Sequence, residues 1–210
     1  MGKKKKKQSA IQKMSHPNWP VTILAGAGMV LTAYLVVTLW LGHPPVYCRE
    51  GSSCDIVQRS RWGTFLGLPT AFWGFLTYTV LLNISIWVRN AATHWKSAWT
   101  VSLLGLSYSV YLMAISMFVI EAICIYCIVS FTIMAVIFGV ATFQRPKKLP
   151  KFNFAAFAGK TAIIALVIVG GMHLHYSEVF HPKAGQEDPF LKGLAEHLTR
   201  KHALFYGAYW

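Results

Sequence analysis

Long apolar stretches, each separated from the next by a short polar segment, dominate the pattern of the chain. The five stretches cover approximately Trp19–Leu41, Leu66–Val88, Trp99–Ile120, Ile123–Phe143 and Phe154–Tyr176. Each reaches the ~20 residues that an α-helix needs to cross the hydrocarbon core of a bilayer. The pattern therefore predicts an all-α integral membrane protein with five transmembrane helices.

Composition agrees with a membrane protein and changes how the net charge is interpreted. Hydrophobic residues make up 55% of the chain and charged residues 13%, while 20 basic and 7 acidic residues give a net charge of +13. In a soluble protein such an excess would suggest nucleic acid as a partner. Here the basic residues lie mostly between apolar stretches, with no basic face carrying interleaved aromatic residues, so we exclude nucleic acid.

The distribution of charge predicts the orientation in the membrane. Three basic segments without acids lie at alternate ends of the stretches, and we place them inside because Lys and Arg set orientation. They contain Lys3 to Lys7 and Lys13, then Arg89 and Lys96, then Arg145, Lys147, Lys148 and Lys151. The seven acids fall on the other side: Glu50, Asp55, Glu121, Glu178, Glu187, Asp188 and Glu196. The N-terminus is thus expected inside and the C-terminus outside.

All four cysteines fall on the outer side of this topology. Cys48 and Cys54 lie in the first outer loop, while Cys124 and Cys127 form a CxxC motif at the outer start of the fourth stretch. An oxidising compartment on that side allows disulfides to form. Because the orientation was assigned without the cysteines, their convergence is independent support for redox chemistry.

The two cysteine pairs differ in the chemistry that their surroundings favour. Two sulfurs three residues apart at a helix start share one face and can close a disulfide. The helix N-terminus stabilises a thiolate, whereas the low dielectric opposes ionisation, so the direction of the pKa shift stays open. Gly51, Ser52 and Ser53 predict a flexible loop pair, and a mobile pair beside a fixed pair suits a relay by thiol–disulfide exchange.

Structural explanations compete with this relay. Cys48 and Cys54 can form a static loop disulfide, and Cys124 and Cys127 can be small buried hydrophobic residues. A zinc site with four cysteine ligands is disfavoured, because two ligands would lie on a membrane helix without a polar cluster nearby. Three complete pairings exist, and the relay predicts exchange among Cys48–Cys54, Cys54–Cys124 and Cys124–Cys127.

In this order, the motifs resemble the vitamin K epoxide reductase family in its bacterial form. The matching features are the loop pair, Ser60-Arg61-Trp62-Gly63, Phe65-Leu-Gly-Leu-Pro69 with Gly74, and Cys124-Ile-Tyr-Cys127. The resemblance covers roughly residues 20–145. It implies a four-helix bundle around a quinone pocket, to which a fifth transmembrane helix is added here.

The resemblance also implies a role for each cysteine. Cys127 would lie next to the quinone, with Cys124 as its resolving partner. Cys54 would exchange with Cys124, and Cys48 would receive electrons from an outside protein. Ser60 would hold the loop cysteines or modulate the relay, or would be an ordinary loop hydroxyl. The residues implied for the quinone pocket are Phe65, Thr70, Phe72, Trp73, Tyr78, Tyr111 and Phe131.

Two departures from the vertebrate members change the expected substrate. Phe131 stands where those enzymes have a tyrosine, and Thr70 stands where they have a quinone-contacting asparagine. Both differences remove or shrink polar groups that would contact the ring oxygens. We therefore expect a respiratory quinone, ubiquinone or menaquinone, and a disulfide-generating enzyme of the bacterial inner membrane with periplasmic cysteines and a cytoplasmic N-terminus.

The expected organisation has four parts. They are a basic cytoplasmic tail at 1–18, the four-helix catalytic core at 19–145, a basic loop with the fifth helix at 146–176, and a periplasmic segment at 177–210. In the last part, Phe190–Lys201 has the pattern of a short amphipathic helix and Ala203–Trp210 that of a strand. They resemble the start of a thioredoxin-like domain, so we expect a truncated chain with a thioredoxin-like protein or domain as its thiol donor.

Other functions remain as alternatives to a quinone-dependent thiol oxidase. One is reduction of vitamin K epoxide or quinone proper, and another is a membrane scaffold with static disulfides. A conduit for electrons across the membrane would need cysteines on the inner side, where the predicted topology places none. His173, His175 and His181 lie near a helix end, where we interpret them as interfacial or solvated, and we expect no metal.

Overall fold

The computed structural model describes residues 17–49, 51–146, 153–177 and 197–198. The α-helices of these residues are α1 Trp19–Trp40, α2 Ser53–Arg59, α3 Thr70–Trp87, α4 Ala91–Phe118, α5 Ile125–Phe143 and α6 Phe154–Tyr176. Five of them, all except α2, are long and apolar enough to cross a membrane. The predicted all-α, multi-pass membrane class is therefore confirmed.

The contacts divide the chain into two units, 1–170 and 171–210. The described part of the second unit consists of the end of α6 and the helical pair His197 and Leu198. The predicted amphipathic helix and terminal strand lie almost wholly outside the described residues, and so does the basic tail before residue 17.

The third transmembrane helix starts earlier than the apolar pattern predicts. It begins at Ala91 rather than Trp99, because the Asn90 side chain caps it by accepting hydrogen bonds from the backbone N–H groups of Ala92 and Thr93. The first two turns of α4 also contain His94 and Lys96. Because these residues are polar, the hydropathy pattern does not reveal where the helix starts.

The second transmembrane helix starts later than predicted, at Thr70 instead of Leu66. The residues before it form a small antiparallel hairpin, β1 Thr64–Phe65 and β2 Leu68–Pro69, in which Phe65 pairs with Leu68. Leu66 and Gly67 make its turn with positive φ angles of 53° and 77°. This conformation ends the helical path, so the apolar residues before Thr70 are not part of the span.

Helices α1, α3, α4 and α5 pack into a four-helix bundle, with contacts between α1 and α3, α1 and α5, α3 and α4, and α4 and α5. The buried core of the bundle consists of Val21, Ala25, Tyr78, Leu81, Met134 and Ile137. Helix α1 can approach α3 closely because Gly28 has no side chain: a Cβ there would lie 2.4 Å from the Tyr78 ring. The implied four-helix arrangement is thus confirmed.

The beginning of α6 is attached to the bundle by aromatic packing. Phe154 and Phe157 stack against Trp95 and Trp99 of α4, with ring centroids 5.3 to 6.1 Å apart. The indole N–H of Trp95 donates to the carbonyl oxygen of Ala141 at 2.8 Å, which joins α4 to α5 at the same place. This cluster lies at the end of the bundle opposite the cysteines.

Candidate active site

Cys48 and Cys54 are joined in a disulfide between the loop after α1 and the start of α2. Ser52 caps α2 by accepting from the backbone N–H of Asp55, so Cys54 enters the first turn of a short helix. The Asp55 carboxylate accepts from the Gly51 N–H and from Arg59. Both disulfide residues are nonetheless buried, Cys48 with 1% and Cys54 with 5% of its surface exposed.

Cys124 and Cys127 occupy the N-terminus of α5 as free thiols. Cys124 is the residue just before the helix, and Cys127 lies in its first turn. The pKa of the Cys124 thiol is lowered to about 6, mainly because the Cys127 side chain donates a hydrogen bond to it. Burial opposes the shift, whereas backbone N–H groups of Cys127 and Tyr126 and the Gln58 side chain add to it. Local donors at the helix start thus outweigh desolvation.

The two cysteine pairs meet at this end of the bundle. The sulfur of Cys54 lies 3.3 Å from the sulfur of Cys124. Cys48, Cys54 and Cys124 form one buried cluster, packed against Val57 and Tyr126. A zinc site with four cysteine ligands needs four thiolates, whereas two of these sulfurs are joined to each other. Contact between a disulfide sulfur and a free thiol is instead the arrangement from which thiol–disulfide exchange proceeds.

Two tyrosines hold the loop that leads to Cys48. The backbone N–H of Val46 donates to the Tyr34 hydroxyl at 2.9 Å, and the Tyr126 hydroxyl donates to the Val46 carbonyl oxygen. Tyr126 belongs to the CxxC motif, and its ring lies 6.2 Å from that of Tyr34. We call these three residues the Val46 clamp. It links the loop pair mechanically to the helices α1 and α5.

A cavity of about 130 Å³ opens inside the bundle next to the sulfurs. Its wall comes from α1, α3, α4 and α5, with α2 and the turn after it as cover. The lining residues are Thr32, Leu35, Leu39, Val57, Gln58, Trp62, Gly63, Thr70, Ala71, Gly74, Tyr108, Ser109, Leu112, Met113, Ile115, Ser116, Ile120, Cys124, Tyr126, Cys127 and Ser130. Both thiols of the CxxC motif thus face a largely apolar space with a few hydroxyl groups.

The protein-family model described as the vitamin K epoxide reductase family matches residues 19–142, which is more than half of the chain. The chain belongs to this family. The matched region runs from the start of α1 almost to the end of α5, so it contains the bundle, the cavity and all four cysteines.

Membership of the vitamin K epoxide reductase family makes the protein a membrane oxidoreductase, with thiol–disulfide and quinone chemistry as the family's activity. The site fits a quinone by its shape and chemistry. An aromatic ring needs apolar walls, which Leu35, Leu112 and Met113 provide, and ring oxygens need donors such as the hydroxyls of Thr70 and Ser109.

The structure places the residues that the family resemblance implied for the pocket in different environments. Thr70 lines the cavity, as do Cys124 and Cys127. Phe65, Phe72 and Trp73 lie outside the lining of this cavity and pack on one another instead, with ring centroids 5.7 and 6.3 Å apart. Both contacts are edge-to-face, which is a favoured geometry for aromatic pairs.

The remaining three residues also lie outside the cavity wall. Tyr78 is completely buried in the bundle core, and its hydroxyl donates to the carbonyl oxygen of Ser130, which itself lines the cavity. Tyr111 faces Trp62. Phe131 follows Ser130 on α5, and a one-residue step turns it by about 100° around the helix axis. None of these rings belongs to the lining of this cavity, whose aromatic members are Trp62, Tyr108 and Tyr126. Contact of Tyr78, Tyr111 and Phe131 with a quinone stays a prediction.

Ser60 lies at the C-terminus of α2, where its hydroxyl donates to the Val57 carbonyl oxygen at 2.7 Å. This contact ends a helix and leads the chain into the Arg61–Gly63 turn. Gln58 and the Val46 clamp were missed by the sequence analysis. One signal for Gln58 was available, because it lies four residues after Cys54 and therefore on the same face of any helix starting there.

Proposed function

We propose that this protein oxidises the thiols of a thioredoxin-like partner and passes the electrons through Cys48/Cys54 and Cys124/Cys127 to a respiratory quinone. The observation that supports it best is the 3.3 Å between the Cys54 and Cys124 sulfurs, at the edge of a cavity whose wall contains Cys124 and Cys127. The loop pair, which would take electrons from the partner, thus lies next to the CxxC motif, which would pass them to the quinone.

The first steps bring electrons into the loop pair. A partner thiolate attacks Cys48, forms a mixed disulfide and releases Cys54 as a thiolate. The second partner thiol resolves that disulfide, so the partner leaves oxidised and Cys48 and Cys54 are both reduced. Because Cys48 is only 1% exposed, its loop has to move before a protein thiol can reach it.

The next steps transfer the electron pair to the CxxC motif. The Cys54 thiolate attacks Cys124 in an oxidised Cys124–Cys127 disulfide and releases Cys127 as a thiolate. Cys48 then attacks Cys54, which restores the Cys48–Cys54 disulfide and releases Cys124 as a thiolate. The disulfide between Cys48 and Cys54 and the free thiols of Cys124 and Cys127 are consistent with this product of the proposed step.

The last step oxidises the two thiols of the CxxC motif back to a disulfide. A quinone supplies the electron sink, because it accepts two electrons and two protons to become a hydroquinone. Cys127 and Cys124 would provide those two electrons and close their disulfide again, and the two protons would be those that the partner's thiols gave up. The protein's part is to orient the two thiols toward the cavity and to keep water out of it.

We also propose the orientation in which the cysteines face the periplasm of a bacterial inner membrane. Arg89 and Arg145 support it, because both lie at the helix ends opposite the cysteines. Reporter fusions after Arg145 and after Trp40 test this orientation. Export-dependent activity after Trp40 alone is expected, and activity after Arg145 alone would reverse the topology.

The first experiment is reduction of ubiquinone-1 or a menaquinone analogue by the purified protein with a dithiol as donor. Turnover with the parent chain and its loss in both Cys127→Ala and Cys124→Ala are expected. No turnover with either quinone would contradict the proposal. Turnover with vitamin K epoxide alone would instead assign the protein to epoxide reduction.

A further inference from the structure

Gln58 lies at the junction between the two cysteine pairs. It follows Cys54 by four residues on α2, so its side chain points along the same face of that helix. Its amide N–H donates to the Cys54 sulfur at 3.8 Å and to the Cys124 sulfur as well. Gln58 also lines the cavity. A single neutral donor therefore contacts both sulfurs between which the electron pair would pass.

We propose that Gln58 is a catalytic residue of the exchange between Cys54 and Cys124, in which its amide stabilises the negative charge that Cys54 carries when it attacks and that Cys124 carries when it leaves. This inference rests on the proposed relay. It adds a group from the loop side to the donors already provided by the start of α5.

The chemistry of the step explains why a donor is needed at this place. When Cys48 attacks Cys54 in the mixed disulfide, the Cys48–Cys54 bond forms, the Cys54–Cys124 bond breaks and Cys124 leaves as a thiolate. The electron count is unchanged, but the negative charge moves from one terminal sulfur to the other. The terminal sulfurs belong to Cys48 and Cys124, which are each 1% exposed, so bulk water solvates this charge poorly and donors from the protein stabilise it.

The position of the amide is set by the backbone rather than by side-chain packing alone. Gly63 lies directly against the Gln58 carbonyl oxygen, where a Cβ would be only 2.1 Å away. The turn after α2 is thereby closed onto residue 58. A change confined to the Gln58 side chain leaves this backbone contact in place, so its effect on exchange can be separated from an effect on folding.

The test isolates the exchange from the quinone. In Cys127→Ala, Cys124 can attack Cys54 and release Cys48, and excess N-ethylmaleimide then alkylates the released Cys48. Excess N-ethylmaleimide also alkylates free Cys124 directly. The full-length protein in lipid nanodiscs is therefore digested without reduction at each time point, and mass spectrometry of the peptides counts only alkylated Cys48 that is accompanied by a Cys54–Cys124 disulfide. Adding Cys124→Ala removes the attacking thiol and measures any alkylation of Cys48 that does not depend on exchange.

In this background, Gln58→Met removes the donor at nearly constant length. At a pH at which Cys124 is mostly the neutral thiol, we expect exchange to slow about tenfold, the factor that one hydrogen bond to a charged group supplies. Arg59→Met is the matched control, because Arg59 points to solvent beside Asp55, and its rate should stay within about twofold of the parent. An unchanged rate in Gln58→Met would overturn the proposal.

Gln58→Glu gives a second readout that a structural role would not produce. A protonated carboxyl group donates like the amide, whereas a carboxylate repels the thiolate. Exchange should therefore fall as the pH rises through the titration of this carboxyl, whereas the parent rate rises with pH as Cys124 ionises. Identical pH profiles would overturn the assignment of Gln58. If the parent itself shows no exchange, the relay falls together with this inference.

Discussion

The sulfurs of Cys54 and Cys124 lie 3.3 Å apart, although 70 positions separate the two residues along the chain. One belongs to a disulfide and the other is a free thiol in the same buried cluster. A static scaffold disulfide does not require a thiol at such a distance. The contact is therefore the structural basis for treating the two pairs as a relay.

This contact predicts which disulfide forms when other partners are removed. In the double variant Cys48→Ala/Cys127→Ala, Cys54 and Cys124 are the two remaining cysteines, and mild oxidation should join them completely. Peptide mapping by mass spectrometry checks the product. The variant Cys48→Ala/Cys124→Ala keeps the same number of cysteines and should form its disulfide far more slowly. Equal rates in the two variants would show that the contact has no special role.

The Val46 clamp predicts how fast the buried loop disulfide can be reached. In Tyr126→Phe, the hydrogen bond to the Val46 carbonyl is lost, so reduction of Cys48–Cys54 by dithiothreitol should accelerate about fivefold, as expected for one ordinary hydrogen bond. The rate is measured by alkylation and mass spectrometry in a Cys124→Ala background without quinone. Tyr47→Phe is the control, because that side chain is 89% exposed. A slower or unchanged rate in Tyr126→Phe would contradict the clamp.

The hydrogen bond from Cys127 predicts a pH dependence for Cys124. Because this bond is the largest cause of the lowered pKa, Cys127→Ser should keep more of the shift than Cys127→Ala. The measurement is the rate of Cys124 alkylation by iodoacetamide against pH, with Cys48 and Cys54 both replaced by Ala.

The direction of the effect follows from the reactive species. The thiolate reacts, so each rate falls as the pH drops through the pKa of Cys124, and the midpoint should be higher in Cys127→Ala. In Cys127→Ser it should stay below the value of about 8.5 that is typical of free cysteine. Equal midpoints in Cys127→Ser and Cys127→Ala would show that the hydrogen bond from Cys127 is not the cause of the lowered pKa of Cys124.

The close packing of α1 on α3 predicts a local sensitivity to volume. Gly28→Ala places a methyl group into the Tyr78 ring and should lower the free energy of unfolding by about 1–3 kcal/mol. Gly26→Ala is the matched control on the same helix, since nothing lies within 4 Å of its Cβ position, and it should be neutral or stabilising. Unfolding in detergent, followed by circular dichroism, distinguishes the two. Equal stabilities would show that α1 can move away from α3 without cost.

The sequence by itself determined the membrane class and the approximate spans, because about 20 consecutive apolar residues have few other stable solutions. It also predicted that the four cysteines lie on one side of the membrane, since the charge asymmetry orients the helices before any packing is known. The predicted ends of two helices differ from those in the structure. Asn90 starts α4 eight residues early through a side-chain cap, and the turn at Leu66 and Gly67 starts α3 late, because capping and turn geometry leave little trace in hydropathy.

Only the tertiary structure decided which groups meet. The 3.3 Å contact of Cys54 with Cys124, the Gln58 donor between them and the clamp on Val46 each join segments that are distant along the chain or depend on the path of a loop. The composition of the cavity wall is a second feature that the sequence did not determine. Rings such as Tyr78 were expected there from the family resemblance, but Tyr78 is buried in the packed core, and the aromatic residues that line the space are Trp62, Tyr108 and Tyr126. Which face of a helix borders a cavity depends on how all four helices pack together, and apolar composition alone does not specify that.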